Sequence, residues 1–190
     1  MRLIGIAMAS AALLFVGCSS IPGGGSEEPL FDNSGDRTIG TKIDDKSLEW
    51  QISRNIDAAS PDLKASNINI KIYNGQVLMA GQVPNIESKA IAEKVALQHK
   101  RVTRVINQLE VAGKATVLDY VNDLTISTRV KVHLAQKLDY ELMKRILVTT
   151  EDSQIYVMGF VTKPEAQYVT EAISSLGVGA RVITVYEYID

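Results

Sequence analysis

Cysteine is nearly absent from this chain. Of 190 residues only Cys18 carries a thiol, so no disulfide can form within the chain. Histidine is almost as scarce. His99 and His133 stand far apart, and no His, Cys, Asp or Glu spacing suits a metal. Aromatic residues make up 6%. Charge of one sign is lacking too: the formal net charge is −2, which gives no case for nucleic acid as a partner. The single glycine run, Gly23 to Gly25, lacks the Lys-Ser/Thr ending of a phosphate loop. Without a nucleophile, a base and an orienting group in evident register, no enzyme and no cofactor are expected. Long apolar runs are also missing. The one uncharged, mostly apolar stretch, Leu3 to Val16, has 14 residues, short of the roughly 20 that a spanning helix needs.

That stretch has the length of a secretory leader core, with Arg2 before it and Gly17 after it. A catalytic or disulfide cysteine is out of place at such a junction. The arrangement resembles a bacterial lipoprotein signal, although Phe15 stands where a leucine is usual. The resemblance implies that Cys18 takes a thioether-linked diacylglycerol and becomes the new N-terminus. Ser19, rather than an aspartate, then implies the outer membrane. Ordinary secretion with an incidental thiol is the alternative.

From Ser19 to about Ile43, Gly, Ser, Pro and acidic residues dominate without apolar periodicity, as in a flexible linker. The remainder repeats itself. Asp45 to Val83 aligns with Asp123 to Val161 without gaps at an offset of 78. Leu48, Ile52 and Ile56 fall on Ile126, Val130 and Leu134; Val77, Met79, Gly81 and Val83 fall on Ile155, Val157, Gly159 and Val161. Each copy reads as helix, strand, strand, helix, strand. Asp44 or Asp45 is the expected N-cap of the first helix. Asn74-Gly75 is a strong two-residue hairpin signal, and Asp152-Ser153 a weaker one. The fold class is α+β, with two helices on one face of a three-stranded mixed sheet in each copy. The last strand is expected to return beside the first, in parallel.

The alternating strands "GQVLMAGQV" and "SQIYVMGFV", each followed by a helix and then "RVTRVINQ" or "ARVITVYE", resemble the BON domain. Two of them behind a lipoprotein signal resemble the dual-BON outer-membrane lipoproteins. The boundaries expected are 1–17 for the signal peptide, 18–43 for the lipidated cysteine and linker, 44–113 for the first BON domain, 114–122 for a short linker and 123–190 for the second. The resemblance implies a non-enzymatic, lipid-anchored protein that faces the periplasm. It also implies binding of anionic phospholipid, support of outer-membrane integrity, enrichment at division sites, and contact with the outer-membrane β-barrel assembly machinery. A protein–protein adaptor is the rival reading.

The copies differ in their first helices. Asp45 to Ala58 carries net charge −1, and Asp123 to Leu138 carries +2 plus His133. Opposite the core face of the second helix lie Thr125, Thr128, Arg129, Val132 and Gln136, with Lys131 and His133 beside them. Val132 is apolar where a wet face is expected. These seven residues are the candidate phospholipid site, and resemblance to the family also points to this helix. There an aromatic residue is expected near the helix start, where Leu124 or Thr125 stands. Gly81 and Gly159, near strand ends, are expected to let a helix pack on the sheet or to permit a bulge rather than to admit a ligand. Tyr73, Tyr156, Tyr186 and Tyr188 are candidates for a contact between the copies. Trp50 fits either the core margin or that contact.

Overall fold

The computed structural model describes residues 37–113 and 117–190; the leader, Cys18 and most of the expected linker lie outside them. The first repeat runs α1 (Ile39–Ala59), α2 (Pro61–Lys64), β1 (Asn67–Tyr73), β2 (Gln76–Val83), α3 (Ile86–Leu97) and β3 (Arg104–Val111). The second runs α4 (Val117–Lys137), α5 (Tyr140–Lys144), β4 (Ile146–Glu151), β5 (Gln154–Val161), α6 (Lys163–Ser175) and β6 (Arg181–Tyr188). The fold is α+β, with two three-stranded mixed sheets.

Each sheet has its long central strand where the sequence places the glycine-bearing one. β2 pairs antiparallel with β1 and parallel with β3; β5 pairs likewise with β4 and β6. The expectation that the last strand lies beside the first is therefore wrong. A strand, helix, strand crossover returns to the free edge of the strand it left. The hairpin already occupies the other edge of β2.

The central strands are buried on both faces. On the helix side of the first sheet, Leu48, Ile52 and Ile56 of α1 meet Ile70, Val77, Met79 and Val83, with Ala92 and Ala96 of α3. Ile126, Val130 and Leu134 of α4 meet Val148, Ile155, Val157 and Val161 in the same way. The opposite faces pack on each other. Tyr73, Leu78 and Ala80 join Tyr156, Met158 and Val185 in a third cluster shared by both repeats. The layers thus run helices, sheet, sheet, helices. Of the four candidate tyrosines, Tyr73 and Tyr156 serve this contact. Tyr186 packs on its own repeat's core, and Tyr188 is exposed. Trp50 is 67% exposed, in neither place expected of it.

Three boundaries differ from expectation. α1 opens five residues before Asp44, inside the expected linker, and its N-cap is Thr38, which accepts from Thr41 N–H. Asp45 is instead buried. Its carboxylate accepts from the backbone N–H groups of Asn74 and Gly75 at 2.7 and 3.1 Å. Asp123, 78 residues on, accepts from Asp152 and Ser153 at 2.8 Å each. Both hairpin turns have positive φ at both central residues, and in each the two central amides donate to the aspartate carboxylate. The short helices α2 and α5 are additional; Ser60 and Asp139 cap them. Finally, α4 begins at Val117, so residues 117–122 are helix rather than linker.

The strand glycines have a different reason from the one expected. A Cβ on Gly81 would lie 2.1 Å from the Asn67 carbonyl oxygen, and one on Gly159 2.6 Å from that of Arg145. The close neighbour is the start of the preceding strand, neither a helix nor a ligand.

Candidate functional site

α4 is held from beneath. Asp123 ties it to the hairpin turn, Asn122 donates to Ser153 at 2.9 Å, and Ile126, Val130 and Leu134 bury its inner side. Its outer side therefore has a fixed direction. Leu118, Val121, Thr125, Thr128 and Val132 follow one another at steps of three and four, so they line one stripe along the helix. Leu124 adjoins it. Leu118 is 76% exposed, Val121 51%, Leu124 57% and Val132 54%.

The two threonines in the stripe are less polar than their type suggests. Thr125 Oγ1 donates to the Val121 carbonyl and Thr128 Oγ1 to the Leu124 carbonyl, both at 2.8 Å. With its hydroxyl satisfied inside the helix, a threonine keeps little need of water. Arg129 and Lys131 are exposed on the two flanks of the stripe. Among the described residues neither has an ion-pair partner.

Six of the seven candidate phospholipid residues thus share the outer surface: Thr125, Thr128, Arg129, Lys131, Val132 and Gln136. His133 does not. It is half-buried, with Nε2 3.2 Å from Ser175 Oγ on α6. The reading of the sequence missed Leu118, Tyr120 and Val121. The apolar stripe starts in the stretch taken for a linker, and the signal for it was there: Leu118, Val121, Thr125 and Thr128 already show helical spacing. An exposed aromatic, Tyr120 at 70%, also stands in the first turn of α4, ahead of Leu124 and Thr125.

Among the described residues no group of three His, Cys, Asp or Glu is placed to hold a metal. None of the described helices is long and apolar enough to cross a membrane. His99, the other histidine, shares a 3.2 Å hydrogen bond with Gln51. The perturbed carboxylates are structural. Burial raises the Glu151 carboxyl above its usual range although Asn69 and Asn67 donate to it. Hydrogen bonds from Arg145 hold Glu165 down to about 2.

Residues 44–113 match the family model of the BON domain. The outer membrane lipoprotein DolP of Haemophilus influenzae is 28% identical over 181 residues, covering 95% of this chain and 93% of that protein. The 21 kDa hemolysin of Actinobacillus pleuropneumoniae is 26% identical over 153 residues, covering 80% and 78%. A solved structure, the C-terminal domain of CdsD, a structural protein of the type III secretion system of Chlamydia trachomatis, is 13% identical. It aligns over 76% of this chain and 65% of that one at a TM-score of 0.29. Residues 44–113 thus match the BON domain, and over nearly its whole length the chain is similar to the outer membrane lipoprotein DolP.

Proposed function

We propose that this protein is a non-enzymatic, periplasm-facing lipoprotein, anchored through Cys18, that rests the outer face of α4 on anionic phospholipid. In this reading residues 1–17 are the signal peptide, and residues 44–113 and 123–190 are two BON domains, the second entered through the first turns of α4. Its role is support of outer-membrane integrity, with division-site enrichment as a consequence of lipid binding. The observation that carries the reading is the stripe from Leu118 to Val132, exposed, apolar and flanked by two cations without ion-pair partners among the described residues.

Magnitudes decide which part of the surface does most. A cation near an anionic leaflet contributes about 1 kcal/mol, so Arg129 and Lys131 give about 2 kcal/mol. Full burial of a Leu or Val side chain is worth roughly 1.5–3 kcal/mol, and these four are already partly covered. At roughly 1 kcal/mol each they give about 4 kcal/mol. The apolar stripe therefore dominates, and the cations set the preference for anionic lipid. Beside a covalent anchor, even this modest affinity suffices, because the second contact forms at high effective concentration.

The test is co-sedimentation of the chain from Ser19 onward with neutral and anionic vesicles at two salt concentrations. The expected result is preferential binding to anionic vesicles. Val121→Glu with Val132→Glu should abolish it, whereas Arg129→Glu with Lys131→Glu should remove the preference for anionic lipid. Absence of binding to either vesicle defeats the reading. It would favour an adaptor that docks on an envelope complex such as the β-barrel assembly machinery, for which the exposed Trp50 is the observation in hand.

A further inference from the structure

The offset of 78 relates the two repeats position by position, so surface features can be compared in pairs. A groove of about 380 Å³ lies between α1 and the edges of β1 and β4, with Lys131 of α4 at its rim. Arg37, Lys42, Lys46, Lys71 and Lys131 line it, against two carboxylates, Asp45 and Glu49. The equivalent groove on the other repeat, beside α4 and β4, holds Asp123 and Glu151 and, among the described residues, no cation. Where the first groove has Lys42, Lys46 and Lys71, its counterpart has Tyr120, Leu124 and Thr149. The shared fold accepts either set, so folding does not demand the lysines.

The carboxylates in the groove are already engaged. Asp45 accepts two hairpin amides and Arg37. Glu49 pairs with Lys46 at 2.7 Å and with Lys71 at 3.6 Å. Lys42 and Lys131 have no ion-pair partner among the described residues. Arg37 adds a second and independent observation. Its side chain is only 10% exposed, lies 3.7 Å from the Tyr73 ring centroid and gives Nη1 to Asp45. Its buried Nε–H has no acceptor among the described residues. An unsatisfied buried donor on a cation is a costly feature, and an anion beside it relieves that cost.

We propose that this groove binds a phosphate-bearing anion, held by Arg37, Lys42, Lys71 and Lys131. Phosphate fits the donor set: several oxygen acceptors, at least one full negative charge, and a preference for converging guanidinium and ammonium groups. The ligand is either a phospholipid headgroup or a small soluble phosphoester. The site shares Lys131 with the flank of the outer stripe of α4 but does not depend on that stripe touching a membrane.

The experiment uses the full lipid-anchored protein in nanodiscs of neutral phosphatidylcholine, followed by NMR of backbone amides and of the Arg37 Nε–H. Glycerol 3-phosphate is titrated against sodium chloride of matched ionic strength. In a second arm the discs carry phosphatidylglycerol instead. Shifts at Arg37 Nε–H and at the amides around Lys42 and Lys71 with glycerol phosphate, but not with chloride, assign a soluble phosphoester. The same shifts only in the phosphatidylglycerol discs assign a headgroup. The variant Lys42→Tyr with Lys71→Thr installs the counterpart residues and should weaken the response roughly tenfold. It should leave the amide pattern of the two cores unchanged. Absence of localised shifts in both arms overturns the proposal, as does an unaltered response in the double variant. Val121→Glu, which disables the outer stripe, should leave the glycerol phosphate response intact, so the two readings fail separately.

Discussion

Asp45 and Asp123 are one residue used twice. Each sits on the first long helix of its repeat and binds the two amides of the hairpin turn, fixing helix to sheet. The turns they hold are unequal. Gly75 takes its positive φ freely, whereas Asp152 and Ser153 hold φ of 51° and 57° with side chains attached. The second turn therefore leans harder on its carboxylate. Ser153→Gly should stabilise the protein by about 0.5–1 kcal/mol. Asp123→Ala should destabilise it by about 2–3 kcal/mol, through loss of two charge-assisted hydrogen bonds. Urea unfolding of both variants checks this. A Ser153→Gly protein no more stable than the parent would mean that the turn carries no strain. Alignment of the two repeats placed these aspartates in register, yet local chemistry suggested an N-cap. An aspartate three residues before an apolar period looks the same whether it caps its own helix or reaches a turn 29 residues away.

At the scale of elements, periodicity gave the existence of the four long helices, the hairpins and the core faces, but neither the starts of α1 and α4 nor the short helices α2 and α5. Leu48, Ile52 and Ile56 are buried as their spacing requires. It failed where the evidence was tertiary. Strand partnership in the sheet is decided by which edge is left free, and nothing in β3 itself states that. The start of α4 is hidden in the sequence because its exposed apolar residues, Leu118, Val121 and Leu124, add nothing to the core period. Missing it removes half of the candidate membrane stripe. α6 offers a test of how side chains hold an element in place. Thr162 and Glu165 form a capping box, and Glu165 also receives Arg145 from the end of α5, one of these bonds at 3.1 Å. Those bonds keep the Glu165 carboxyl near 2, below its ordinary 4.5. A depressed folded pKa means stability that is fully present above the unfolded value and is lost as pH falls from 4.5 toward 2. Glu165→Gln should flatten that acid limb and lower stability at neutral pH by about 1–2 kcal/mol. Urea midpoints measured from pH 2.5 to 7 decide it; parallel curves for parent and variant would place the acid sensitivity elsewhere.

Over the whole molecule, the repeats meet as the halves of a symmetric dimer would. Gln76 donates to Glu187 at 2.9 Å, and Gln154 to Glu110 at 2.8 Å. Tyr73 Oη donates to the Arg145 carbonyl, while Asn67, the counterpart of Arg145, donates to Glu151, the counterpart of Tyr73. Reciprocal contacts of this kind define an isologous interface, here within one chain. Its centre is apolar: Leu78, Ala80, Tyr156 and Met158 are each at most 2% exposed. Either sheet alone would present that face to water, so neither repeat is a self-sufficient unit. The two should therefore unfold together. Amides of β2 and β5 should exchange with solvent at one common free energy of opening, equal to the global value. Met158→Asp places a carboxylate at the centre of the cluster, at a cost on the order of 3 kcal/mol or more. The effect should reach β2, whose amides belong to the other repeat. Hydrogen exchange resolved by residue makes the distinction. If β2 keeps its protection while β5 loses it, the repeats are independent domains, and the shared cluster is a contact of convenience. If both fall together, the outer stripe of α4 and the cationic groove beside α1 are presented by one rigid body. A membrane contact at the first would then set the height and orientation of the second above the bilayer.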